Sequence, residues 1–207
     1  HNNENFPIID IKSSKAGDGH SLAITKCGKI FSWGDGDNGN LGHGTTTAEK
    51  RPTLIKELEN VKVVNIAVGT KHSACVTSDG RVFTWGDSES DRLGHAVTRP
   101  VNGDTRKSRY PEVIKGINEA IQVACGAHHT LILDRRNNSV IYACGQASDG
   151  RLGFGLKSDV DIKHKLNAKL YKVKMKPFQN ERILKIAASS SCSFALTYSG
   201  KVFSWGM

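Results

Sequence analysis

Gly69-Thr70-Lys71-His72-Ser73-Ala74-Cys75-Val76-Thr77-Ser78-Asp79-Gly80-Arg81-Val82-Phe83-Thr84-Trp85-Gly86 is the stretch that decides the fold of this 207-residue chain. Ala74 and Val76 share one face of a strand, Ser78-Asp79-Gly80 turns the chain, and Val82-Phe83 leads a second strand into Trp85-Gly86. Short polar residues and glycine tolerate the left-handed backbone that a tight hairpin needs. The pattern stands upstream as Gly17-Asp18-Gly19-His20-Ser21, closing at Phe31-Ser32-Trp33-Gly34. Downstream it runs from Gly126-Ala127-His128-His129-Thr130 to Tyr142-Ala143-Cys144-Gly145, and from Cys192-Ser193-Phe194 to Phe203-Ser204-Trp205-Gly206. His20 to Trp33, His72 to Trp85 and Cys192 to Trp205 each span 13 positions; His129 to Cys144 spans 15, the excess falling in the turn at Arg135–Ser139. Successive copies are offset by 52, 57 and 63 residues. Self-similarity at that period, rich in strand and glycine, marks a propeller or solenoid of stacked units.

Working outward, an apolar strand precedes each copy: Ile8-Ile9-Asp10-Ile11, Val63 to Val68, Ala120 to Cys125 and Ile183 to Ala188. After Trp-Gly a loop ends in Leu41-Gly42, Leu93-Gly94 and Leu152-Gly153, its last glycine 8 residues beyond the first in all three copies. A variable segment then leads to an outer strand near Pro52–Ile55 and Pro111–Ile114. Four strands per repeat make one propeller blade. The repeats run over about 8–60, 61–118, 119–180 and 181–207, the last incomplete, after a leader or cloning remnant at 1–7. The only helical turn the pattern offers is Leu166–Tyr171.

The run Gly-x-x-His-Ser, then Asp-Gly-Arg-Val-Phe-Thr-Trp-Gly, then Leu-Gly eight residues on, resembles the regulator of chromosome condensation repeat over nearly the whole chain. The resemblance implies an all-β fold, a β-propeller with about three and a half to four of the seven blades such rings contain. A four-bladed ring is the rival. This chain departs from the family pattern where it carries Gly36, Ser88 and Ala147 in place of Asn, and Asn40, Arg92 and Arg151 in place of Gln. The fourth copy has Ser189 for the glycine and Cys192 for the histidine. The family implies two functions of different kinds. One is a non-catalytic scaffold for a protein or chromatin partner, a substrate-recruiting region of a ubiquitin ligase being a variant of it. The other is guanine-nucleotide exchange on a Ran-type small GTPase in the nucleus. Exchange-active members resemble a propeller with a short hairpin projecting from one blade. The equal eight-residue loops leave no room for that wedge, and the longer segments Ala96–Arg109 and Phe154–Asn180 are expected toward the rim.

Composition excludes several other classes. No apolar run is long enough to span a bilayer, and no membrane partner is expected. Five cysteines with no metal or redox spacing, Cys75, Cys144 and Cys192 being read as buried thiols, fit a reducing, nuclear or cytoplasmic compartment. His20, His72 and His129 recur once per blade, so they serve something every blade needs, such as bonding a turn; no metal or cofactor is expected. No catalytic constellation is present, and Gly34-x-Gly36-x-x-Gly39 lies between strands without a following helix. Charge is uneven. The chain carries +9 overall, concentrated in residues 92–115 and 157–185. Arg106, Lys107 and Arg109, with Lys172, Lys174 and Lys176, are read either as polyanion contacts, for DNA or histones, or as lysines protecting an edge strand. Asp18, Lys71 and His128 sit in the turns before the repeated strand and are the candidate partner-binding residues on the propeller face. A partial ring would leave an apolar blade face, through Leu196 and Phe203, open to self-association.

Overall fold

The computed structural model describes residues 7–14, 19–136, 140–153, 170–173 and 181–207. Blade 1 comprises β1 (Ile8–Ser13), β2 (His20–Thr25), β3 (Ile30–Gly34) and β4 (Glu49–Leu54). Blade 2 comprises β5 (Val63–Val68), β6 (His72–Thr77), β7 (Val82–Asp87) and β8 (Lys107–Val113). Blade 3 has β9 (Ala120–Cys125), β10 (His129–Asp134), β11 (Val140–Gly145) and the two-residue β12 (Tyr171–Lys172). Blade 4 has β13 (Ile183–Ala188), β14 (Cys192–Thr197) and β15 (Val202–Gly206). Every sheet is antiparallel with its strands in chain order, the first of each innermost. The Leu166–Tyr171 turn falls mostly outside the described residues. Short 3-10 turns occur instead at Lys56–Leu58, Glu89–Asp91 and Ser148–Gly150.

Strand alternation normally gives one buried and one wet face, but here blades 2 and 3 are each stacked between two others and bury both. β6 and β10 are buried along their whole length. Leu22, Ile24 and Ile30 of blade 1 pack on Ile66, Cys75 and Trp85 of blade 2. Ala74, Val76 and Val82 then meet Val123 and Ile132 of blade 3, whose Leu131, Leu133 and Ile141 meet Ile186, Ala195 and Trp205 of blade 4. Each fully buried Val, Leu or Ile among them contributes about 1.5–3 kcal/mol, and the alanines less. Three junctions of this kind are the core.

The blades form an open arc, not a closed four-bladed ring. Ile11 is 58% exposed, whereas Ile66, Val123 and Ile186 at the same place in later blades are 1%, 2% and 1% exposed. Phe194 and Leu196 are half-buried where Leu131 and Leu133 are fully covered. Phe203 does not belong to that open face. It pairs with Ala195 and so points toward blade 3, while Val202 pairs with Leu196 and is 68% exposed. All five cysteines are free; Cys75 and Cys144 are buried as expected, but Cys192 is half-buried, its Sγ against the Met207 carbonyl.

Candidate protein-interaction face

Two loops of each blade meet at one end of the arc. The Trp-Gly loop is tied to the turn before the repeated strand: Asp35 N–H donates to the Gly19 carbonyl at 3.1 Å, Asp87 to Lys71 at 2.9 Å and Gln146 to His128 at 2.9 Å. The residue before Leu-Gly closes the loop from inside. Arg92 Nε donates to the Glu89 carbonyl at 2.8 Å, Arg151 Nε to Ser148 at 2.9 Å, and Asn40 Nδ2 to Asp35 at 2.7 Å. These side chains are almost wholly buried. The departures from the family's glutamine therefore keep a structural task, and Arg92 and Arg151 add no accessible charge.

The same residues latch one blade to the next. Ser73 Oγ donates to the Asn40 carbonyl, Thr130 Oγ1 to Arg92 and Ser193 Oγ to Arg151, all at 2.8 Å. Each hydroxyl also bonds the histidine of the preceding blade: His20 Nε2 at 2.7 Å from Ser73, His72 Nε2 at 2.9 Å from Thr130 and His129 Nε2 at 2.9 Å from Ser193. A hydroxyl has one proton, committed here to the carbonyl, so it accepts from Nε2–H. Each ring is thus a neutral Nε2–H tautomer with a buried Nδ1 that has no partner among the described residues. Burial pushes the pKa of His20 and of His129 down to about 4, and holds His72 well below its usual value. The histidines were expected to bond a turn; they bond the neighbouring blade's hydroxyl instead. Among the described residues, no group of three metal-ligating side chains is placed to hold an ion.

The latch explains the Gly-x-x-His spacing. A Cβ on Gly69 would lie 2.2 Å from His72 Cε1, and one on Gly126 2.1 Å from His129 Cε1. Ser189 and Cys192 depart together for that reason: without the ring, the glycine is not required.

Onto this frame the sequence hangs dissimilar side chains. Lys71 is exposed on blade 2. His128, half-buried on blade 3, has its pKa lowered by burial first and then by the nearby Arg92 and Arg151 cations. Asp18 lies outside the described residues. Around these loops Asp37, Glu89, Asp91 and Asp149 are exposed. The segment after Leu93-Gly94 first runs along the outer strand β8, as expected of a rim segment, with Thr98 N–H donating to the Glu112 carboxylate at 2.9 Å and Arg99 paired with Glu57 at 3.1 Å. Its end then returns to the loop face, because β8 begins beside Asp87, at the loop end of β7. Ser88 N–H donates to the Arg106 carbonyl at 2.8 Å, and a β-bridge joins Val101 to Asp104 across Asn102-Gly103, both with positive φ. Arg106 reaches solvent with Asp104 at 3.2 Å, Lys107 Nζ is held by the Asp37 carbonyl at 2.9 Å, and Arg109 is largely covered. Lys172 is exposed on the outer strand of blade 3, between half-buried Tyr171 and buried Val173; Lys174, Lys176 and the segment 154–169 lie outside the described residues.

Comparison with known proteins matches this arrangement. A family model of the regulator of chromosome condensation (RCC1) repeat fits residues 27–76 and 79–133, and a second model of the repeat fits 11–40 and 63–91. The chain is 32% identical to mouse E3 ubiquitin-protein ligase HERC2 over 92% of its own length and 4% of that protein. It is 34% identical to the ultraviolet-B receptor UVR8 of Arabidopsis thaliana over 96% of its length and 41% of the receptor. The solved structure of Prp20p from Saccharomyces cerevisiae, described with its binding properties to Gsp1p and histones, superposes with a TM-score of 0.74 at 23% identity, over 91% of this chain and 42% of that one. The chain thus spans less than half of each of these three proteins. With its blade order, its latches and these matches, it belongs to the regulator of chromosome condensation (RCC1) repeat family.

Proposed function

We propose that this chain is a non-catalytic interaction module that holds a protein or chromatin partner on its loop face. One observation carries the reading: three junctions repeat the same histidine–hydroxyl–carbonyl latch, while the side chains on the latched loops change from exposed Lys71 to half-buried His128 to exposed carboxylates. A rigid frame with varied loops is how repeat scaffolds tailor a surface. Recruitment of a substrate to a ubiquitin ligase is one form of the same role, as the likeness to HERC2 allows. The compartment, nuclear or cytoplasmic, belongs to this proposal. No described helix is long and apolar enough to cross a membrane. The exposed faces at Ile11 and Val202 are seats for further blades or for a second copy.

Exchange on a Ran-type small GTPase is the second reading, favoured by the bridged Val101–Asp104 tip on the loop face and by the likeness to Prp20p. Our reading is that the chain binds without accelerating nucleotide release. Titration against core histones, duplex DNA and a nucleotide-free Ran-type GTPase tests both. At least one should bind, and Lys71→Glu with His128→Ala should weaken it about tenfold at unchanged thermal stability. Binding indifferent to that pair would remove the loop face from the account. Rapid release of a fluorescent guanine nucleotide, lost on deleting 101–104, would establish the exchange reading instead.

A further inference from the structure

The opposite end of the arc carries a feature that the loop face does not use. Each innermost strand has a β-bulge at its outset: pairing skips Ile9 in β1, Val64 in β5, Ile121 in β9 and Leu184 in β13. A bulge leaves its extra residue out of the ladder and re-aims the side chain. All four skipped residues are apolar and exposed, by 59%, 43%, 40% and 46%. Single exposed apolar residues need no explanation, but four at one level of four neighbouring strands form a patch. It lies at the end of an axial cavity of about 600 Å3, which Asp10, Asn65, Gln122 and Lys185 line one residue further along.

Cations border the patch. The hairpin turns are pinned to the residues just before the innermost strands: Lys26 N–H donates to the Pro7 carbonyl at 2.9 Å, Ser78 to Lys62 at 2.7 Å, Arg135 to Glu119 at 3.0 Å and Tyr198 to Arg182 at 2.9 Å. Lys26, Lys62, Arg135 and Arg182 are thereby placed beside the skipped residues, all exposed. Other cations of the same turns have acid partners, as in Arg81–Asp79, Arg136–Asp134 and Lys201–Glu181. These four have no ion pair among the described residues; Arg182 lies over the Tyr198 ring at 4.6 Å. Glu119 is the one acid at these eight positions. The exposed Glu59 and Asp79 at this end are paired with Lys29 and Arg81, and the loop face exposes Asp37, Glu89, Asp91 and Asp149.

We infer that this turn face binds an acidic peptide segment with one large apolar anchor, the anchor seated on Ile9, Val64, Ile121 and Leu184 and the carboxylates on the four cations. Charge alone would serve a nucleic acid equally well. The apolar centre singles out a peptide, because phosphate backbones gain nothing from it. The inference is independent of the loop-face reading, since neither set of substitutions touches the other face.

The test is fluorescence anisotropy with a labelled seven-residue peptide of Asp and Glu around one central Trp. The controls are the same peptide with Ser for Trp, a Lys-rich version, and a 20-base-pair duplex. The acidic Trp peptide should bind, and Ser for Trp should weaken it about tenfold, near 1.4 kcal/mol. Val64→Ser with Ile121→Ser should give a similar loss, and Lys62→Glu with Arg135→Glu a larger one that flattens the salt dependence. The melting temperature of each variant shows whether it folds; single substitutions replace any pair that does not. Equal binding of the Lys-rich peptide, indifference to Trp, or binding of the duplex that only the charge reversals reduce would each overturn the inference, the last by assigning the face to nucleic acid.

Discussion

The junction between blades 1 and 2 and that between blades 2 and 3 reach one geometry with different residues. At the first, the Asn40 carbonyl receives Ser73 Oγ at 2.8 Å and the indole N–H of Trp85 at 2.8 Å. At the second, the Arg92 carbonyl receives Thr130 Oγ1 at 2.8 Å, and where the indole would stand Cys144 offers Sγ at 3.4 Å. A Cβ on Gly94 would lie 3.1 Å from that sulfur. The latch is therefore the constant part of the repeat and the aromatic a replaceable one. Trp205 restores the indole bond at the third junction, at 2.9 Å to the Arg151 carbonyl.

Acid should strike every junction alike and gives the largest expected effect. A neutral buried histidine binds its proton less readily folded than unfolded, so between its two pKa values the unfolded chain holds more protons and stability rises with pH. For His20 and His129, with folded values of about 4 against 6.5, the contribution is complete above about pH 6.5 and lost as pH falls toward 4. The loss is about 3 kcal/mol for each. Urea midpoints measured from pH 7 to pH 4 should fall steeply over that window; a flat profile would mean that the rings are not held neutral.

Trp85→Ala and Cys144→Ala should separate the two junctions. The first empties a fully buried indole site and should cost about 3–5 kcal/mol, the second about 1. Equal losses in denaturant unfolding would end the distinction. Smallest in stability, and aimed at partner binding, is the reversal of Lys172, Lys174 and Lys176 to Glu. It should change stability by less than about 0.5 kcal/mol. If this stripe binds DNA, the slope of log affinity against log salt should shrink by about 0.9 for each phosphate that is no longer neutralised. An unchanged slope would leave edge protection as the role of these lysines.

Blade order, strand positions and the structural standing of the histidines are legible in the sequence, because they depend on local alternation and a phased repeat. The partner of each histidine is not, since the bonds join residues 53, 58 and 64 positions apart. Its signal is nonetheless present: Ser or Thr directly follows His20, His72 and His129. Arg92 and Arg151 count as charge in the sequence and prove to be loop closers, burial being invisible in composition. The segment at 96–106 reads as rim in the sequence; Thr98 and Arg99 do lie along the outer strand β8, but the tip at 101–106 lies on the loop face, because its direction depends on where β8 pairs. The bulges are hidden too, since one inserted residue within an apolar run leaves no mark on its pattern.

Lys71 and His72 are neighbours in sequence on opposite sides of the central claim, one presented to a partner and the other holding two blades together. The thermal unfolding midpoints of Lys71→Glu and His72→Ala compare them directly. Losing the imidazole leaves the Thr130 hydroxyl without its donor and a cavity against Gly69, which should cost about 2–4 kcal/mol, a drop of roughly 5–10 °C. Lys71→Glu should leave the midpoint within about 1 °C. A histidine variant as stable as the parent, or a lysine variant as damaged as the histidine one, would contradict the division between frame and face.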